Sequence, residues 1–175
     1  QRVLIDLADE QRRCLVITAD GYETAGPAGC RFLHREHALP LPEPEAGGSV
    51  DDLFEHVNVA APERQRVLIA WLAAAMLPFG PYPPLLLEGE AGSAKSTAGR
   101  MIVSLVDASV APLRAAPKSE DDLFVTARGM WVVGFDNMPP LRPGMSDALC
   151  QISSCIDSAT PEIYTDADEF IIAIK

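Results

Sequence analysis

The first 45 residues alternate short apolar runs with polar breaks. "VLIDLA" (3–8) and "CLVITA" (14–19) are apolar and β-branched, and the polar "DEQRR" separates them, so two short strands are expected. Asp20-Gly21 carries a turn signal, and "CRFLHRE" (30–36) is a candidate third strand. "LPLPEPEAGGS" (39–49) reads as a Pro/Gly-rich linker. The period then lengthens. Ser49 can cap "VDDLFEHV", with Asp51 and Asp52 in the first turn. "APERQRVLIAWLAAAMLP" (61–78) opens with Pro62 at a helix start and stops before Pro78, with Trp71 as a core anchor.

From residue 85 strands and helices alternate. "LLLEG" (85–89) predicts a buried strand, and "SAKSTAGRMIVSLVD" (93–107) a helix with apolar positions 98, 101, 102, 105 and 106. "SVAPL" (109–113) is a short strand candidate. "SEDDLFVTARG" (119–129) is a helix capped by Ser119 and closed by Gly129. "MWVVGFDN" (130–137) is a second buried strand, apolar until Asp136. "SDALCQISSCIDS" (146–158) is a helix capped by Ser146, and "EIYTDADEFIIAIK" (162–175) a hairpin around Asp166–Asp168. This alternation predicts an α/β fold with a parallel sheet covered on both faces. The expected division is a small β-unit and linker over 1–48, a helical connector over 49–80, and an α/β core over 81–175.

Charge narrows the choice of partners. Residues 1–80 hold 7 basic and 12 acidic side chains and residues 81–175 hold 7 and 13, so neither part offers a broad basic surface for nucleic acid. Contact with DNA would need a local cluster or a ring of subunits. Cys14, Cys30, Cys150 and Cys155 match no zinc or disulfide spacing, which points to a reducing cytosol, with Cys150 and Cys155 as small core residues. His34 and His37 lack a ligand partner in sequence and read as solvated side chains. The longest apolar run, residues 67–79, is too short to span a bilayer and predicts a buried helix, with no membrane role. The chain opens without Met and ends in an apolar run, as expected of a piece of something longer.

The chemistry concentrates in "LLLEGEAGSAKSTAGR" (85–100), which fits the phosphate-binding pattern G-x-x-x-x-G-K-[ST] at every position but one: Ala94 stands where the second glycine belongs. The loop lies between a predicted strand and a predicted helix, as its mechanism requires. Main-chain N–H groups of Glu90, Ala91, Gly92, Ser93, Ala94, Lys95 and Ser96 can form an anion nest, reinforced by the helix dipole. Lys95 would reach β- and γ-phosphates, and Ser96 would give a hydroxyl to Mg²⁺. Ala94 keeps its N–H. It costs little if its backbone is near-helical, and on the order of 1 kcal/mol or more if φ is positive. Gly89 and Gly92 remain for unusual angles, so Ala94 reads as tolerated.

Such a loop needs an acid to hold the metal. Asp136 ends an apolar strand 40 residues after Ser96, on the rim where the loop would lie. Asn137 follows, where many hydrolytic relatives of this motif have glutamate. Asn cannot accept a proton but can orient water. Either hydrolysis is slow or another carboxylate serves, with Glu90, Asp147, Asp166 and Asp168 as candidates.

Together, "LLLEGEAGSAKST", "WVVGFDN", the Ser146–Cys150 segment, "IYTDADEF", "VLIDLA" and "GPYPPLLLEG" resemble the P-loop ATPases of phages and bacterial mobile elements related to superfamily 3 primase-helicases, within the AAA+ class. The resemblance covers most of the chain. It implies a P-loop NTPase of the additional-strand type, ATP and Mg²⁺ as cofactors, and a homo-oligomeric ring on single-stranded DNA in a longer protein. It implies that Gly89, Gly92, Lys95, Ser96 and Thr97 hold the triphosphate, and that Asp136 holds Mg²⁺ with Asn137 beside it. Ser154 and Cys155 stand where related motors have glycines, and Pro161 and Glu162 where they have basic residues, which removes the usual phosphate contacts of that hairpin. The resemblance also places a strand from beyond Lys175 between the loop strand and the Asp136 strand. A sheet lacking it would leave open edges and fold poorly. Two other functions share the loop: an ATP-binding switch or scaffold with weak hydrolysis, and a small-molecule kinase. The kinase is disfavoured because only Arg142 and Lys175 are basic after residue 137.

Overall fold

The computed structural model describes residues 2–26, 32, 37–78, 80–128, 130–154 and 171–173. The β-unit is a three-stranded antiparallel sheet in the order β1–β2–β3, with β1 over Val3–Asp6, β2 over Cys14–Thr18 and β3 over Gly21–Ala25. The third strand is "GYETA", and "CRFLHRE", apart from Phe32, lies outside the described residues. The turn sets where β3 starts: Thr18 pairs with Gly21, so the chain reverses through Ala19-Asp20 and begins its return strand at once. Leu7, Cys14 and Val16 are buried in this unit. Beside it, the Arg13 main-chain N–H and guanidinium both donate to Asp9 and hold its carboxyl below the usual range.

The Pro-rich stretch does more than link. Leu41 N–H donates to Leu7 O of the β-unit, while Leu39 N–H donates to Ala108 O and Val110 N–H to His37 O. The segment thus fastens the β-unit to the α/β part, and Ala38 forms an antiparallel bridge with Ser109. Ser49 caps the next element from both sides: its hydroxyl accepts from Asp51 N–H and its own N–H donates to Asp52. That element is a 3-10 helix, Val50–Glu55. Helix α1, Pro62–Ala75, follows with Pro at its start. The indole N–H of Trp71 donates to Pro83 O and that of Trp131 to Ala75 O, fixing α1 on the α/β part.

The α/β part runs α2 (Lys95–Val106), β4 (Leu113–Ala115), α3 (Glu120–Ala127), β5 (Val133–Asp136), α4 (Pro143–Ser153) and β6 (Ile171–Ala173). Its sheet has the order β4–β5–β6, all parallel. Two apolar clusters lie on opposite faces of β5. Val132 packs with α1 and α2, including Leu72, Ile102 and Val103. Val133 and Phe135 pack with α3 and α4, including Leu123, Leu149 and Ile152. Alternation along a pleated strand sends 132 and 134 one way and 133 and 135 the other.

Several sequence expectations are corrected here. Helix α2 buries Gly99, Ile102, Val103 and Val106, while Met101 and Leu105 are exposed: the face lies one position round from the expected stripe, with Val103 meeting the sheet at Gly134. Helix α4 begins at Pro143, so Ser146 lies inside its first turn and donates its N–H to Arg142 O. Proline at the first position, with φ already helical, outcompetes the serine cap. Cys150 is exposed on α4, and Cys155 lies outside the described residues. The short strand after α2 is Leu113–Ala115, later than "SVAPL".

The run 85–89 forms no strand among the described residues. Leu85 and Leu87 pack on the α1–α2 cluster, while Leu86 is exposed, so the run is not buried on both faces. The free edge of β5 is taken by Ile171–Ala173, paired Val133↔Ile171, Gly134↔Ile172 and Phe135↔Ala173. A strand that follows α4 can return parallel to β5. The hairpin around Asp166–Asp168 lies outside the described residues, and 171–173 joins the parallel sheet.

Candidate functional site

Helix α2 and strand β5 are fastened to each other at both ends. At the C-terminal end of β5, the Ser96 hydroxyl donates to Asp136 Oδ1 at 2.9 Å. At the other end, the buried carboxylate of Asp107 accepts from Trp131 N–H at 2.9 Å and Val132 N–H at 3.0 Å through one oxygen. Between them Gly134 lets the helix approach: a Cβ there would stand 3.0 Å from Val103 Cγ2 and 2.9 Å from Pro112 O. Position 134 accepts glycine because anything larger would push the layers apart.

The loop Gly89–Ala94 wraps the start of α2. Lys95 folds back over it and donates to Gly89 O at 2.7 Å and Glu90 O at 2.6 Å, with Ser93 Oγ at 3.3 Å. Gly89 is needed for this closeness, since a Cβ would lie 2.8 Å from Ser93 Oγ. Gly92 has φ +79°. Ala94, the residue before the helix, sits at φ 61° and ψ 22°, in the left-handed region. The pattern's glycine thus has a conformational reason, and Ala94 carries the cost. The first-turn N–H groups of α2 have no acceptor within their own helix and face the loop end of the dipole.

Asn137 is also left-handed, at φ 55°, and is exposed. The sequence points to an amide able to orient water and does not show this backbone conformation. The residue type is the one signal for it, since Asn enters the left-handed region far more readily than most residues. The Asp107 clamp and the close approach at Gly134 were missed too. A buried aspartate after a helix leaves no pattern that names its partner 24 residues on.

The expected site residues therefore divide. The structure brings together Gly89, Glu90, Ser93, Ala94, Lys95, Ser96 and Asp136, with Asn137 beside Asp136. Ala91, Gly92 and Thr97 are exposed in the same loop and first turn. Asp147 is exposed on α4, and Asp166, Asp168, Pro161 and Glu162 lie outside the described residues, as does His34. His37 enters the link to Val110 through its carbonyl. Among the described residues no three His, Cys, Asp or Glu side chains gather as a metal cluster. A Ser hydroxyl and an Asp carboxylate at the mouth of an N–H-rich loop fit a divalent cation that keeps most of its own water, and a polyanion beside it. Among the described residues no helix is long and apolar enough to cross a membrane.

Fold and site define a mixed α/β protein with a lysine-serine loop facing a strand-end aspartate. A family model for the actinomycete integrative conjugative element replication protein matches residues 50–175, and the chain belongs to that family. The match begins after the β-unit and covers α1 and the whole α/β part. Neither the curated proteins nor the solved structures give a match to the chain.

Proposed function

We propose that this chain is a P-loop ATPase of the additional-strand, AAA+ type, binding ATP and Mg²⁺ in the replication machinery of a mobile element. We further propose that it works as a primase-helicase motor, in a ring of subunits on single-stranded DNA. The observation that carries the reading is the 2.9 Å hydrogen bond between Ser96 and Asp136, which joins the two halves of a metal-nucleotide site from separate elements. Family membership supports a replication role, and the parallel pairing of β6 with β5 is compatible with a P-loop sheet.

In this reading Lys95, which donates to Gly89 O and Glu90 O, would hold phosphate oxygens through charge-assisted hydrogen bonds. Main-chain N–H groups from Glu90 to Ser96, with Thr97 following, orient the polyphosphate. Ser96 and Asp136 are the side chains that would hold the cation. Bound ATP with Mg²⁺ would supply a phosphoanhydride whose hydrolysis drives movement.

A second reading, an ATP-binding switch, is favoured by Asn137, which leaves no carboxylate directly after Asp136. ATP turnover by the full-length protein, with and without single-stranded DNA and beside Lys95→Ala, separates the two. Lys95-dependent turnover that rises with DNA is expected of the motor. Lys95-dependent binding without turnover identifies the switch, and binding unaffected by Lys95→Ala refutes both.

A further inference from the structure

We infer that Asn137 is a positioning residue that acts through its backbone, aiming Asp136 at the metal site, and that its amide does not handle the attacking water. The inference rests on the ATP-Mg²⁺ reading above and deepens it.

Side chains along β5 alternate: Val132 and Gly134 face α2, while Val133 and Phe135 face α3 and α4. Asp136 follows the rule and reaches Ser96 on α2. Regular pleating would then send Asn137 toward the α3–α4 cluster and Met138 back toward α2. The opposite is seen. Asn137 is exposed, and Met138 is buried in the cluster with Val133 and Phe135. The left-handed φ of 55° at Asn137 makes this inversion. It ends the strand one residue after the carboxylate and lets Met138 anchor the chain under α4. Asp136 is thus the last residue of the regular strand, held from behind by Phe135 and from ahead by Met138. A residue that resists the left-handed region would relax the turn and swing the carboxylate away from Ser96. Asn is one of few side chains that take this conformation readily, and glycine is the other natural choice.

The test compares Asn137→Ala with Asn137→Gly. Both remove the amide, so a difference between them reports the backbone alone. Thermal melts of both variants establish that they fold, and ATP affinity is measured with Mg²⁺ and with chelator. The expected result is ATP-Mg²⁺ affinity about tenfold weaker in Asn137→Ala than in Asn137→Gly, a gap that closes in chelator. Equal affinities with Mg²⁺ would overturn the inference, as would turnover lost equally in both at unchanged affinity, which would assign the amide to water. Failure of the underlying site reading shows separately, as wild type and Lys95→Ala binding ATP alike. That outcome would remove this inference as well.

Discussion

Ser96 Oγ and Asp136 Oδ1 meet at 2.9 Å although 40 residues separate them. The contact joins the first turn of α2 to the last residue of β5, and the Asp107 clamp at the other end keeps the two elements in register. A hydroxyl held by a carboxylate is already placed to share a cation with it. The site geometry therefore comes from helix–strand packing rather than from the loop alone.

The roles of the pair separate by metal dependence. If the proposed ATP–Mg²⁺ site holds, Asp136→Ala is expected to bind ATP with nearly the same affinity in the presence and absence of Mg²⁺, and the wild type is expected to bind more tightly with it. Ser96→Ala should show a smaller loss of the same kind, because the carboxylate remains. Titration calorimetry with Mg²⁺ and with chelator measures both. A full Mg²⁺ effect in Asp136→Ala would remove this residue from the metal site.

Ala94 offers a test of strain. A non-glycine residue in the left-handed region costs roughly 1–2 kcal/mol, and glycine loses roughly 0.5–1 kcal/mol through its greater unfolded freedom. Ala94→Gly should therefore gain up to about 1 kcal/mol, raising Tm by about 2–4 °C for a chain of this size. A lowered Tm would show that the backbone at 94 is not left-handed in solution.

How far the site could be read from sequence follows from what each residue depends on. Gly89, Lys95 and Ser96 belong to one local pattern, so spacing sufficed. Asp136 was legible because a buried apolar run that ends in an acid marks a strand rim. The run before Asp136 reads as a buried strand, and Phe135 within it is fully buried. The stripe on α2 lies one position from the apolar count because Gly134 opposite Val103 sets how closely helix and sheet approach, and apolar counting ignores glycine. The helix start at Pro143 was missed because the serine signal at 146 competed with it. The pairing of Ile171–Ala173 with β5 depends on where α4 returns the chain, which no local pattern specifies.

Asp107 is expected to matter for stability and not for nucleotide contact. Its carboxylate satisfies two main-chain donors, one of them the buried N–H of Val132. Leaving such a donor without a partner costs about 1–3 kcal/mol, so Asp107→Ala should lose about 2–4 kcal/mol for the two together. Asp107→Asn keeps one acceptor oxygen and should lose less. Chemical denaturation of both variants checks the order, and equal stability of all three proteins would contradict the clamp.

Gly134 connects stability to the site. A Cβ at this position would stand 2.6 Å from Leu113 Cδ2, 2.9 Å from Pro112 O and 3.0 Å from Val103 Cγ2. The leucine can rotate away, but the proline carbonyl belongs to the backbone leading into β4, so the layers must shift. Gly134→Ala should cost roughly 1–3 kcal/mol, the usual range for overpacking. It should also move α2 off β5, lengthen the Ser96–Asp136 contact and weaken the Mg²⁺ dependence of ATP binding. Gly144→Ala is the control. Its Cβ would meet only the Glu120 carboxylate at the end of a flexible side chain, so little change is expected. If Gly134→Ala destabilises the fold but leaves Mg²⁺-dependent binding intact, the metal site does not depend on how closely α2 packs against the sheet.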